Sequence, residues 1–137
     1  MDIKLSCTAN MVPGESLTEK AHILRKMGYD GMAIFVDAPD WKDELLDEML
    51  QMEEKTGVKP CEFVLTAGYY GHLMNKDPEI RKQALVAYKQ SIEISNKIGA
   101  ITEMEYEYRT QDPLPLFEPY QQMPEEEKEL YVSIVNE

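Results

Sequence analysis

The chain has 137 residues, 43% of them hydrophobic and 29% charged, enough for one domain with its own core. A formal net charge of −12 repels a phosphate backbone, whose binding rests on Lys and Arg, so nucleic acid is not an expected partner. No apolar run approaches the roughly 18 residues of a membrane span, and Ser6, Thr8 and Asn10 interrupt the first apolar segment before it can form a signal-peptide core. Solvated helix faces account for most of the acidic excess: Asp43, Glu44, Asp47, Glu48, Glu53 and Glu54 fall in one predicted helix, and Glu125 to Glu127 open another. Cys7 and Cys61 each fall in a predicted strand. Two buried thiols in a chain without an export signal point to a reduced, cytoplasmic protein with no disulfide.

In chain order, Ile3 to Ala9 predicts a strand, and Pro13-Gly14 ends the turn after it. Ser16 with Glu19 forms a capping box, each side chain satisfying a free N–H at a helix start. Leu17, Ala21, Leu24 and Met27 recur at helical spacing and Gly28 supplies the stop. Met32 to Val36 is the short apolar run of a buried parallel strand, with Asp37 at its carboxyl end. Asp40 is the expected cap of a second helix, which carries Leu45, Leu46, Met49 and Met52 and ends at Gly57. Cys61 to Thr66 predicts the third strand, followed by a long loop, Ala67 to Lys76, rich in Gly and Tyr. Asp77-Pro78-Glu79 opens the third helix with a capping carboxylate and a proline at the first helical position. Its expected buried face is Ile80, Ala84, Leu85, Tyr88, Ile92 and Ile98, up to Gly99. Ile101 to Tyr108 predicts a fourth strand, and after a proline-rich loop Pro124 starts a fourth helix with Leu130, Ile134 and Val135 on one side.

Lys26-Met27-Gly28, Lys55-Thr56-Gly57 and Lys97-Ile98-Gly99 each precede a predicted strand, an internal βα repeat that favours a parallel sheet. The pattern alone leaves two architectures open. A doubly wound sheet fits the length, whereas a (β/α)8 barrel fits the long loops after strands three and four and the three acids Glu103, Glu105 and Glu107 at period two in strand four. A full barrel takes about 250 residues, and the last predicted helix reaches Glu137 without a stop signal. The expectation is therefore one incomplete domain over residues 1–137, the first four βα units of a barrel, with half a site.

Chemistry-bearing residues collect at strand ends and in the loops after them, where α/β proteins place their sites. They are Asn10, Asp37, His72, Glu105, Glu107 and Arg109. His72 lies in Gly68-Tyr69-Tyr70-Gly71-His72-Leu73, where an imidazole is placed to bond a sugar hydroxyl or act as acid or base; an exposed loop histidine is the plainer alternative. Glu105 and Glu107 suit proton transfer if they face a polar lumen. Tyr69, Tyr70, Tyr106, Tyr108 and Phe117 offer a stacking wall for a sugar ring or an aromatic aglycone, or simply core packing. His22, inside the first helix, reads as structural. The sequence has no metal motif of tight spacing, no phosphate-cradling glycine loop and no nucleophile elbow.

Ile3-Lys4-Leu5-Ser6, Lys26-Met27-Gly28-Tyr29-Asp30-Gly31-Met32 and above all Gly71-His72-Leu73-Met74-Asn75-Lys76-Asp77-Pro78-Glu79-Ile80-Arg81 resemble the sugar phosphate isomerase/epimerase family of xylose isomerase-like TIM barrels. The stretch from Tyr108 to Phe117 also resembles the α subunit of bacterial C-glycoside deglycosidases, a branch of the same superfamily. The resemblance implies an α/β fold of parallel (β/α) units and removal of a proton next to a sugar carbonyl. It implies a divalent metal, manganese or magnesium, held by two glutamates, an aspartate and a histidine from later strands. Those positions fall beyond Glu137, so no metal is expected on this chain alone, and the isolated chain is expected to be inactive. In the deglycosidase branch the same enolate expels a carbon-linked aglycone from an oxidised sugar. His72, Glu105 and Glu107 are the expected catalytic residues, and Asn10, Asp37, Tyr70, Tyr106 and Arg109 the expected substrate contacts. Expected partners are a small sugar or glycoside and a second copy or partner subunit, with no membrane. The alternative outside enzymology is a small α/β domain that binds a partner through its open sheet edge or proline-rich loop.

Overall fold

A computed structural model describes residues 3–65, 67–69, 72–103 and 125–136. Strands β1 (Ser6–Thr8), β2 (Gly31–Phe35) and β3 (Lys59–Val64) form a parallel sheet in the order β1-β2-β3. Between them run helices α1 (Leu17–Lys26) and α2 (Asp43–Thr56), and α3 (Pro78–Ile98) follows β3. A further helix, α4, spans Glu125–Val135.

Local chemistry sets the helix ends. At α1 the capping box forms as expected: Ser16 Oγ accepts from Glu19 N at 3.1 Å, and Glu19 reaches back to the Ser16 N–H. Glu48 of α2 adds a cap from another element, its Oε1 accepting from Thr18 N at 2.6 Å. At α3 Asp77 caps through Glu79 N at 2.9 Å, and Pro78 occupies the first turn. Gly57 and Gly99 end α2 and α3 in the left-handed region, at φ 73° and 66°, where a side chain would be strained. Asp40 does not cap α2. Its N–H donates to Asp37 O at 2.8 Å, closing a 3-10 turn over Ala38–Asp40, and α2 starts at Asp43 with Lys42 at the cap position and Asp43 and Glu44 in the first turn. Those two carboxylates favour the helix dipole in place of a side-chain cap.

One hydrophobic cluster joins the sheet to all three connecting helices: Met32, Ile34, Phe63 and Leu65 pack with Ala21 and Leu24 of α1, Met49 and Met52 of α2, and Ile94 and Ile98 of α3. Trp41 closes its edge, its ring 5.6 Å from Phe63 at 70°. The helices therefore cover a single face of the sheet, and neighbours in sequence pack side by side, α1 on α2 and α2 on α3. A doubly wound sheet would carry helices on both faces. Strands in sequence order with helices on one side are instead an arc of a TIM barrel.

The sheet carries one irregularity. Met32 pairs with Pro60, but Ala33 pairs with Glu62, leaving Cys61 as an extra residue in β3. Pro60 has no N–H for the ladder, and a bulge is where a strand tolerates that loss. The bulge crowds Gly31, where an added Cβ would meet Cys61 Sγ at 3.1 Å and Ser6 Cβ at 3.2 Å. Both cysteines carry free thiols.

The buried face of α3 differs from the apolar stripe in the sequence. Ala84, Ala87, Tyr88, Ser91, Ile94, Ser95 and Ile98 are buried, whereas Leu85 and Ile92 are 45% and 48% exposed. Small residues let α3 lie close to β3, and the bulky apolar ones are turned outward. On α4, Ile134 is buried, while Leu130 and Val135 are exposed. The predicted fourth strand is present as a single parallel bridge between Ile101 and Glu62; Thr102 and Glu103 have no strand structure and 104–108 lie outside the described residues.

Leu24 is fully buried at the contact of α1 with the sheet. Leu24→Ala is expected to lower unfolding free energy by about 2–5 kcal/mol, read from the urea midpoint at unchanged m. A loss under about 1 kcal/mol, the ordinary effect of a surface change, would place α1 away from the core.

Candidate functional site

Each described strand runs at its carboxyl end into a 3-10 turn: Ala9–Met11 after β1, Ala38–Asp40 after β2 and Ala67–Tyr69 after β3. The turns begin at a constant step of 29 residues along the chain. Because the strands are parallel and adjacent, all three turns open at one end of the sheet, the end at which α/β barrels bind substrates.

Asn10 sits exposed in the first turn. Asp37, also exposed, immediately precedes the second. Its carboxylate leans across to the third: a methyl group added at Gly68 would stand 3.2 Å from Asp37 Oδ1. Next to Gly68, the Tyr69 ring meets the His72 imidazole edge to face, with centroids 5.6 Å apart and planes at 86°. Asp37, Gly68, Tyr69 and His72 thus form a continuous run from the end of β2 across the loop after β3. His72 begins another 3-10 turn, His72–Met74, which packs on α3 and α4. Its ring is half-buried, and Nδ1 is shielded from solvent with no hydrogen-bond partner among the described residues. A shielded imidazole nitrogen of this kind is costly to leave without a hydrogen bond.

Glu62 was not singled out by sequence reasoning, although a charge inside Cys61-Glu62-Phe63-Val64-Leu65 is the visible signal. Phe63 packs into the core with the helices, so Glu62 faces the other side of the sheet by strand alternation. Thr102 bonds Ser91 of α3, and the neighbouring Glu103 is near enough for its charge to act on Glu62. Burial, and secondarily repulsion from Glu103, raises the Glu62 pKa above the ordinary glutamate range. Glu62 thus puts a carboxyl group on that side of the sheet beside the buried Ala33 and Val64. Tyr70, Glu105, Tyr106, Glu107 and Arg109, the remaining expected site residues, lie outside the described residues.

Among the described residues, no group of three or more His, Cys, Asp or Glu side chains is arranged to hold a metal ion. Asp37 and His72 are separated by Gly68 and Tyr69. These residues do not fit a metal centre. No helix among the described residues is long and apolar enough to cross a membrane.

Parallel βα units with polar groups gathered on the turns after the strands define an α/β protein of barrel type. The family model of the xylose isomerase-like TIM barrel matches residues 21–128, and the chain belongs to that family. No curated protein matches the sequence at a significant level.

A carboxyl group whose pKa is raised on folding is easier to protonate in the native state than in the unfolded chain. Its ionisation therefore removes stability as pH rises from the unfolded value through the native one. Glu62→Gln is expected to raise the urea midpoint relative to the parent near pH 7 and to converge with it near pH 4, roughly the unperturbed glutamate value. Equal midpoints across that range would show that Glu62 is fully solvated.

Proposed function

We propose that this chain forms one wall of a sugar isomerase/epimerase site, in which a proton is removed from the carbon next to a sugar carbonyl and returned to its neighbour. The observation that carries the reading is the run Asp37, Gly68, Tyr69, His72 at the carboxyl end of the sheet, in a chain of the xylose isomerase-like TIM barrel family. An exposed carboxylate accepts hydrogen bonds from two sugar hydroxyls, and the amide of Asn10 both donates and accepts. The His72 imidazole beside Tyr69 is of the type that moves a proton, and the Tyr69 ring offers an apolar edge to the C–H face of a sugar.

In this reading His72, Glu105 and Glu107 handle protons, while Asn10, Asp37, Tyr70, Tyr106 and Arg109 orient the substrate. A divalent metal, if a complete family barrel held one, would supply Lewis-acid stabilisation of negative charge. Since the described residues form no ligand set for it, their contribution is to bind, orient and move protons. Cleavage of an oxidised C-glycoside is the second chemistry the same enolate supports, with the aromatic side chains facing the aglycone. A second copy or a partner subunit is proposed to cover the outer edge of β1, which has no strand neighbour among the described residues.

The reading is tested by titrating the labelled chain with neutral ketoses and aldoses and following backbone amides by NMR. Weak binding, with Kd near ~1 mM or about −4 kcal/mol, is expected to shift Asn10, Asp37, Gly68 and His72 together. His72→Ala should weaken it severalfold, and in an active protein should lower kcat by about 10²–10⁴, the usual cost of one proton-transfer group. Shifts scattered over α2 and α4, or none at sugar concentrations well above that Kd, would remove the sugar reading and favour a partner-binding domain.

A further inference from the structure

Helix α3 holds β3 through hydroxyl groups as well as apolar packing. Ser91 and Ser95 are buried. Ser91 Oγ accepts from Leu65 N at 3.1 Å, lies 3.4 Å from Phe63 O and stands 2.9 Å from Thr102 Oγ1. With Thr102 donating, one serine hydroxyl satisfies all three contacts: two accepted bonds and one donated. Ser95 Oγ donates to the same Phe63 carbonyl at 3.4 Å.

These are backbone groups that a fourth strand would use. The ladder to the next segment begins normally, with Phe63 N donating to Ile101 O at 2.9 Å and Ile101 N donating to Cys61 O at 3.1 Å. A parallel ladder repeats every two residues, so its next pair would run from Glu103 N to Phe63 O and from Leu65 N to Glu103 O. Phe63 O already faces two serine donors, one for each lone pair, and Leu65 N is committed to Ser91. Among the described residues, pairing with β3 ends at Ile101.

We propose that Ser91 and Ser95 are a hydroxyl latch, occupying the β3 groups that would otherwise bind Glu103, so that Thr102 and Glu103 have two alternative hydrogen-bonded states. In the latched state Thr102 is bonded to α3. In the paired state Glu103 comes into register with Val64, one step beyond the Glu62–Ile101 pair. Hydroxyl-to-backbone and backbone-to-backbone bonds are of comparable net strength, so removal of a single hydroxyl tips the balance. Because the Glu103 charge acts on Glu62, the latch also sets how these two carboxyl groups stand relative to each other. This inference rests on hydrogen bonds alone and holds whichever substrate the site takes.

The test uses the full chain and NMR couplings transmitted across hydrogen bonds. The parent should show no coupling between Glu103 N and the Phe63 carbonyl carbon, nor between Leu65 N and the Glu103 carbonyl carbon. Ser95→Ala vacates one lone pair of Phe63 O, and the first coupling should appear. Ser91→Ala releases Leu65 N, which should keep its protection against hydrogen exchange while gaining the second coupling. Alanine favours helix, so α3 is retained in both variants; if loss of the more deeply bonded Ser91 prevents folding, Ser95→Ala decides alone. Either coupling in the parent would overturn the latch. So would a folded Ser95→Ala chain without the first coupling, or a Ser91→Ala chain whose Leu65 amide loses protection and gains no coupling.

Discussion

Everything at the candidate site depends on the contact between one face of the sheet and three helices. Met32, Ile34, Phe63 and Leu65 are inaccessible to water because Leu24, Met49, Met52, Ile94 and Ile98 lie over them. The seven buried side chains among these whose exposure is at most 1% are worth roughly 1.5–3 kcal/mol each in transfer free energy, and no other contact in the described residues unites as many elements. Each helix must recross that face to deliver the next strand in parallel. The strands therefore all end at the same edge, and the turns after β1, β2 and β3 are neighbours by necessity.

That geometry explains how a chain with dispersed polar residues assembles a surface with chemical potential. Asp37 and His72 are 35 positions apart in the sequence, yet Asp37 abuts Gly68 and His72 abuts Tyr69. Gly68 allows the close approach, since any side chain there would press on the Asp37 carboxylate. On the inner side of the sheet, the bulge at Cys61 moves Glu62 into register with Ala33 rather than leaving it one residue out of step. Gly31 and Ala33 are buried on the same side, and Gly31 has no space for a side chain beside Cys61 and Ser6. The core on the opposite face holds both Glu62 and the turns at the strand ends in place.

Much of this was legible in the residues. The capping box at Ser16, the Asp77-Pro78 start and the left-handed glycines at 57 and 99 are local devices, and local devices are readable because they depend on a few neighbouring positions. Parallel pairing followed from the βα repeat, although only the contacts show that all three helices share one face. What failed to read was set by tertiary packing. Leu85 and Ile92 carry apolar bulk at helical spacing, yet α3 turns Ser91 and Ser95 to the sheet because their hydroxyls bond β3. Asp40 has the chemistry of a cap, but Ala38–Asp40 closes as a 3-10 turn and the helix starts later. Glu62 was hidden because a single charge in an apolar strand gives no indication of which face it takes until the bulge fixes the register. Asn10, Asp37 and His72 were visible as polar residues at strand ends; their link through Gly68 and Tyr69 was not, since it crosses between units.

The central claim is that β1, β2 and β3 are adjacent, parallel and in sequence order, so that their turns meet at one end. Cross-strand nuclear Overhauser contacts measure this directly. The account predicts contacts between Cys7 and Met32, between Ile34 and Phe63 and between Glu62 and Ile101, following the observed register. Contacts that place β3 beside β1, with β2 at the outer edge, would contradict it and would separate Asp37 from the loop that carries His72.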